Sequence, residues 1–130
     1  MNCATAEEIP QVDNATESVP AARPVAAAAT VAFTEGPTVH EDGTVYFTDL
    51  RGESGRILRM RPDGAVDTFR EPSFRANGLV FDSEWRLLAC ESGNGEDVLP
   101  RVTRTNLETN EIEVLADEYE GKQFHAPNDL

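Results

Sequence analysis

Residues 44–48 read TVYFT, and this stretch decides the fold class. It consists of β-branched and aromatic residues and follows the turn signal Asp42-Gly43, as a short strand after a tight turn does. Further short apolar runs, separated by turn residues, occupy 56–60, 65–69, 79–81, 87–90, 101–104 and 112–115. After residue 32 no window carries apolar residues at the helical spacing i, i+3, i+4 and i+7. The sequence therefore predicts an all-β chain.

The predicted strands repeat as a set. One set begins near residue 36 and ends at Phe69, a second begins near residue 77 and ends at Leu115, and a third begins at Asn128. The corresponding residues Glu35, Asn77 and Asn128 lie 42 and 51 residues apart, close to the period of about 40–50 residues typical of four-stranded propeller blades. A β-sandwich, with strands every ~8–12 residues, remains open on periodicity alone.

Residues 1–32 differ in composition from the rest of the chain. They hold ten Ala, three Pro and no aromatic residue, too little large apolar surface to offset the entropy of ordering. We therefore expect a disordered leader over 1–32 and a folded part over 33–130. The leader contains no convincing signal peptide, so neither a cytoplasmic nor a periplasmic location is favoured.

The overall charge limits the partners. With 24 acidic and 11 basic residues the formal net charge is −13, which would repel nucleic acid and anionic membranes. No stretch reaches the roughly 18–20 consecutive apolar residues of a membrane span. Cations, neutral small molecules and other proteins remain as partners.

Three loop-to-strand junctions each place an oxygen-bearing side chain just before the first strand of a set. These side chains are Glu35, Asn77 and Asn128. First strands line the central channel of a propeller, so the three would converge at one mouth and suit a hard divalent cation. Asn-Gly and Pro-Asn-Asp are also ordinary turn formers, and spacing alone favours that plainer interpretation.

Other polar residues are predicted to be structural or solvated. We expect His40 to be a solvated loop residue, Cys90 to be a buried small side chain, and His125 to have a structural or substrate-contact role. Paired carboxylates are expected at the surface: Glu91, Glu96, Asp97, Glu118 and Glu120.

The order and spacing of several motifs resemble the opening third of the SMP-30/gluconolactonase/LRE-like family of six-bladed β-propellers, most closely its bacterial gluconolactonase branch. The resemblance covers roughly residues 33–130, or about two four-stranded blades plus the start of a third. The motifs that carry it are EGP at 35–37, TVYFTD at 44–49, NGL at 77–79, LACE at 88–91, RVTR at 101–104, YEGK at 119–122 and PNDL at 127–130.

The resemblance implies a lactonase that opens a sugar lactone with one divalent cation, most readily Ca²⁺, with Mn²⁺, Mg²⁺ or Zn²⁺ as alternatives. Glu35 matches the family's first metal ligand, and Asn128 matches an Asn that contacts the metal, its water or the substrate. Asn77 matches a position near the mouth and, with Asn128 and His125, is assigned to substrate binding. The family's other metal ligand and its essential Asp come from later blades, so no catalytic residue is assigned.

Two departures qualify these expectations. Trp85 stands where the family usually has Gly, which predicts a distorted hairpin at 82–86. Two blades cannot close a ring, so we expect either a fragment of a longer gene product, inactive alone, or a binding module. In the second case the chains would self-associate through open blade edges, for example as trimers, and capture a small ligand without hydrolysing it.

Overall fold

The computed structural model describes residues 26–27, 29–95 and 97–130, and over these ranges the chain contains β-strands and no helix. The first sheet comprises β1 Thr34–Val39, β2 Val45–Asp49, β3 Arg56–Met60 and β4 Val66–Arg70. The second comprises β5 Ala76–Phe81, β6 Leu87–Glu91, β7 Arg101–Thr105 and β8 Ile112–Ala116. A short hairpin, β9 Glu118–Tyr119 and β10 Lys122–Gln123, follows. The all-β prediction is confirmed, while most of the predicted leader, and Glu96, lie outside the described residues.

The two sheets share one construction. In each, every strand pairs antiparallel with its neighbour in sequence, in the order β1-β2-β3-β4 and β5-β6-β7-β8. The first pair of each sheet has a register shift at the same place, between Glu35 and Thr38 in one and between Ala76 and Leu79 in the other. This four-stranded meander is the unit of a propeller blade, so we name the sheets blade 1 and blade 2.

The main core lies between the blades. Along β2 the side chains alternate, and Tyr46 points toward blade 2 while Val45 and Phe47 point to the opposite face. Partly buried aromatic residues extend the core, and Tyr46 contacts the Phe69 and Phe81 rings edge-on at 5.2 and 5.3 Å. The fully or nearly buried apolar members are Tyr46, Ile57, Ala76, Leu79, Leu87 and Ala89.

A buried ionic cluster crosses the same interface and corrects the prediction for Glu91. This carboxylate is 0% exposed and lies 2.7 Å from Arg70 of blade 1 and 2.8 Å from Arg101 of its own blade. Thr103 Oγ1 also donates to it at 2.8 Å. Burial lowers the pKa of Arg70, and the Glu91 charge opposes that effect. Glu91, the last residue of the buried strand β6, therefore links the two blades from inside the protein.

The turns at 40–44 and 82–86 have equivalent backbones, so the predicted distortion at Trp85 is absent. His40 N donates to Thr44 O at 2.9 Å, and Asp82 N donates to Arg86 O at 3.1 Å. Trp85 takes a left-handed φ of 57° where the first turn has Gly43 at 86°. Trp85 therefore adopts a backbone conformation that is usually taken by glycine, and the hairpin keeps its shape.

The prediction that His40 is solvated is also wrong. Its side chain is only 17% exposed, and its ring lies 5.1 Å from both the Phe81 and the Trp85 rings. Cys90 is buried and free, as expected. Burial, followed by the charge of Asp129, raises the pKa of its thiol, which makes it a poor nucleophile.

The second face of blade 1 is apolar and open. Val45, Phe47 and Met60 line a shallow depression there, and Ala29 and Val31 lie along its border. No helix in the described ranges is long and apolar enough to cross a membrane.

Candidate functional site

The first strands of the two blades and the segment at residues 128–129 lie side by side. A Cβ atom built on Gly36 would lie 2.1 Å from the carbonyl oxygen of Asn77, and one on Gly78 would lie 2.6 Å from that of Asn128. Distances under 3 Å are overlaps, so only glycine permits these approaches. The glycines that follow Glu35 and Asn77 therefore let the three predicted junctions come together.

Hydrogen bonds hold the junctions in this order. The Thr48 hydroxyl lies 3.0 Å from the carbonyl oxygen of Glu35 and 3.2 Å from that of Asn77, so it joins β1 to β5. Gly78 N donates to Asn128 O at 2.7 Å. Between side chains, Asn77 Nδ2 donates to Asn128 Oδ1 at 2.9 Å. This last bond orients both carboxamide groups.

Glu35 is half-buried, and its carboxylate has no hydrogen-bond or ion-pair partner among the residues that the structure describes. Most half-buried carboxylates acquire a donor, because an ionised group loses hydration when it is covered. In the same chain Asp49, Glu91 and Asp82 each have an arginine partner. Glu35 is thus a carboxylate with unused acceptor capacity.

The donor types would suit a hard cation, but three side chains would fill only part of its coordination shell. Glu35 supplies a carboxylate, and Asn77 and Asn128 supply carboxamide oxygens, which are ligand types that Ca²⁺ and Mn²⁺ accept. Ca²⁺ takes about 6–8 oxygen ligands, so three side chains leave positions for water, substrate and other groups. Within the described ranges no group of three or more His, Cys, Asp or Glu side chains is placed to hold a metal ion, so a cation site at these junctions would depend on the two amides.

His125 lies apart from Glu35. It is exposed and lines a shallow apolar depression with Cys90, Phe124 and Pro127, on the face of blade 2 that points away from blade 1. The structure brings together the backbones of Glu35, Asn77 and Asn128 but records no contact between His125 and any of them. A substrate-contact role for His125 stays a prediction.

The sequence did not predict the residues that hold the end of β2 beside the start of β1. Asp49 ends β2 and is 1% exposed; its carboxylate accepts hydrogen bonds from Arg56 at 2.9 Å and from the N–H groups of Phe33 and Arg51. Burial works to raise the pKa of Asp49, but these donors outweigh it and hold the pKa below its ordinary value. The available signal was a repeat: Glu91 and Arg101 occupy the same ladder position in blade 2 as Asp49 and Arg56 in blade 1.

Solved structures provide the comparison. A gluconolactonase from Xanthomonas campestris matches with 31% identity and a TM-score of 0.65, over 76% of this chain and 31% of that chain. A candidate gluconolactonase from a structural genomics consortium matches with 31% identity and a TM-score of 0.65, over 76% of this chain and 32% of that one. No protein-family model and no curated protein matches the chain. The chain spans about a third of the length of the solved structures it matches.

Two four-stranded meanders with adjoining first strands define an all-β protein of the propeller type. This chain is 31% identical to the gluconolactonase structures over 76% of its length, which agrees with the fold and with the motifs that contain Glu35, Asn77 and Asn128. The matched gluconolactonase structures support a gluconolactonase/SMP-30-like family for this chain.

Proposed function

We propose that this protein is a gluconolactonase-like hydrolase that opens a sugar lactone with the help of one divalent cation. The observation that carries the proposal is the half-buried, unpartnered carboxylate of Glu35, on a strand that adjoins Asn77. The similarity to a gluconolactonase from Xanthomonas campestris supports the same chemistry.

In this proposal Glu35 and Asn128 hold the cation, with Ca²⁺ the preferred ion and Mn²⁺, Mg²⁺ or Zn²⁺ as alternatives. Such a cation supplies Lewis-acid polarisation of the lactone carbonyl when it is bound. A carboxylate adds the negative charge that a neutral carboxamide lacks, so Glu35 contributes most to cation affinity.

The two amides position the substrate. The hydrogen bond from Asn77 Nδ2 to Asn128 Oδ1 leaves Asn77 Oδ1 and Asn128 Nδ2 without a partner among the described residues. Asn77 Oδ1 can accept a hydrogen bond and Asn128 Nδ2 can donate one, and together they suit the hydroxyl groups of a sugar lactone. Their mutual bond fixes these directions before substrate arrives, which reduces the entropy lost on binding.

The remaining metal ligand and the general base are proposed to come from further blades of a six-bladed ring. The chain spans about a third of the gluconolactonase structures it matches, so we expect little or no turnover from these residues alone.

Hydrolysis of glucono-1,5-lactone, followed by proton release with and without Ca²⁺ or Mn²⁺, tests the proposal. Any turnover above the spontaneous rate should require the cation and fall to the EDTA-treated level in Glu35→Gln. Glu118→Gln, an exposed carboxylate in β9, is the matched control and should change nothing. Turnover that is independent of cation and of Glu35 would contradict the proposed site.

A second candidate function rests on the open apolar face of blade 1, where Val45, Phe47 and Met60 are not covered by another strand of the described chain. Copies that cover this face for one another could form a non-catalytic module that binds a small ligand. Light scattering during size exclusion separates the two: a discrete trimer favours the binding module, and a monomer disfavours it.

A further inference from the structure

A second cavity lies at the opposite end of the blades from Glu35. Strand β1 runs from Thr34 to Val39 and is followed by the 40–44 turn, which borders this cavity together with the 82–86 turn of blade 2. The cavity has a volume of about 570 Å³, within the range of roughly 300–1,000 Å³ that holds small ligands. Its walls come from both described blades.

Trp85 forms one wall of this cavity, and its backbone conformation is strained. Trp85 is 38% exposed at the cavity, and its ring lies 5.1 Å from His40 and 5.9 Å from Phe81. Its φ of 57° is unfavourable for a bulky side chain, and the equivalent turn of blade 1 uses Gly43 instead. Strained positions of this kind cluster at ligand sites, and here the strain presents an indole at the cavity.

The charged groups around the cavity leave an excess of negative charge. Arg86 is engaged by Asp82 at 2.8 Å and by Glu84 at 3.1 Å, and His40 faces Asp42 at 3.0 Å. Glu41 and Glu108 also line the cavity, and neither has a basic partner within the described part of the chain. An anionic ligand would be repelled here, whereas a cation would find two free carboxylates.

We propose that this cavity binds an organic ammonium ion. The cationic head pairs with Glu41 and Glu108, and the alkyl groups lie against Trp85 and Leu107. An indole attracts a cation through the negative face of its π system, and desolvation against apolar groups strengthens that attraction. The two contacts together select a ligand that is both positively charged and partly apolar. The site lies away from Glu35 and does not depend on lactone hydrolysis.

The chain offers an internal probe, because Trp85 is its one tryptophan. Choline is the test ligand and 3,3-dimethylbutan-1-ol, its uncharged isostere, is the control; both are titrated in EDTA so that no divalent cation contributes. We expect a saturable change of Trp85 fluorescence with choline, and binding of the uncharged alcohol at least about tenfold weaker.

Substitutions test the carboxylate contact and the indole contact separately. The double variant Glu41→Gln with Glu108→Gln should weaken choline binding about fivefold or more, while Glu118→Gln should leave it unchanged. Trp85→Gly, which copies Gly43 of the equivalent turn and should keep the hairpin, is measured by calorimetry and should weaken binding about tenfold. Equal affinity for choline and the alcohol, no saturation by about 100 mM choline, or unchanged binding in these variants overturns the proposal.

Discussion

Glu91 shows how much a single side chain depends on its surroundings in the fold. Its carboxylate is 0% exposed and receives hydrogen bonds from Arg70, Arg101 and Thr103. Removing one member of a buried ion pair leaves the other charges without compensation, and that cost exceeds the modest net value of the intact pair. Glu91 therefore stabilises the contact between the blades in a way that an exposed carboxylate does not.

Replacement of Glu91 tests this at the residue scale. Glu91→Ala should lower the free energy of unfolding by about 3–5 kcal/mol, because the largely buried Arg70 and the half-buried Arg101 would both lose their partner. The matched control is Glu113→Ala: that side chain is 62% exposed and lies 2.7 Å from Arg104, so its loss should cost at most about 1 kcal/mol. Urea denaturation followed by circular dichroism measures both. Equal effects would show that burial of Glu91 does not matter.

Asp49 provides a prediction of pH dependence. Its pKa is lower in the folded chain than the ordinary value of about 3.9, so the unfolded chain takes up the proton first as pH falls. Its contribution to stability is therefore fully present above about pH 4 and is lost as pH falls through the folded-state pKa. Asp49→Asn should be less stable at neutral pH and should lose less of its stability between about pH 5 and pH 2.

Urea unfolding at a series of pH values checks the Asp49 prediction, with Asp97→Asn as the control because Asp97 lies at an exposed loop tip. Parallel stability profiles for wild type and Asp49→Asn below about pH 4 would mean that the carboxylate gains nothing from Arg56.

At the scale of elements, local pattern sufficed for most strands. The predicted strand at 56–60 coincides with β3, and the stretch at 44–48 is shifted by one residue from β2, because β-branched residues between Gly-containing turns leave few alternatives. The hairpin formed by β9 and β10 was not predicted, since each strand has only two residues and no alternation to detect. The burial of Glu91 and His40 was missed because it depends on the facing blade.

The close approach of first strands also belongs to this scale. Gly36→Ala should lower the free energy of unfolding by about 1–3 kcal/mol more than Gly64→Ala. Both glycines have positive φ, 47° and 86°, but a Cβ at position 36 meets Asn77 O at 2.1 Å whereas one at position 64 meets nothing within 4 Å. Thermal or urea unfolding of the two variants measures the difference. Similar losses would show that β1 and β5 are less closely packed than described.

For the whole molecule, the repeated motifs at 35–37, 77–79 and 128–130 allowed the blade class and the family to be predicted from sequence. The structure adds that Gly36 and Gly78 let these segments touch and that Thr48 joins two of them. Thr48 could not be found from local pattern, because its partners Glu35 and Asn77 lie 13 and 29 residues away. The cavity beside Trp85 escaped prediction for the same reason, since its walls come from two blades.

The central proposal is that Glu35 and Asn128 hold a divalent cation, with Asn77 hydrogen-bonded to Asn128 beside it. The most direct measurement is paramagnetic broadening of the Asn side-chain amide signals in nuclear magnetic resonance spectra during addition of Mn²⁺. We expect the signals of Asn77 and Asn128 to broaden first, to recover on addition of Ca²⁺, and to stay sharp in Glu35→Gln. Broadening confined to other carboxylate-rich turns and unchanged in Glu35→Gln would contradict the account.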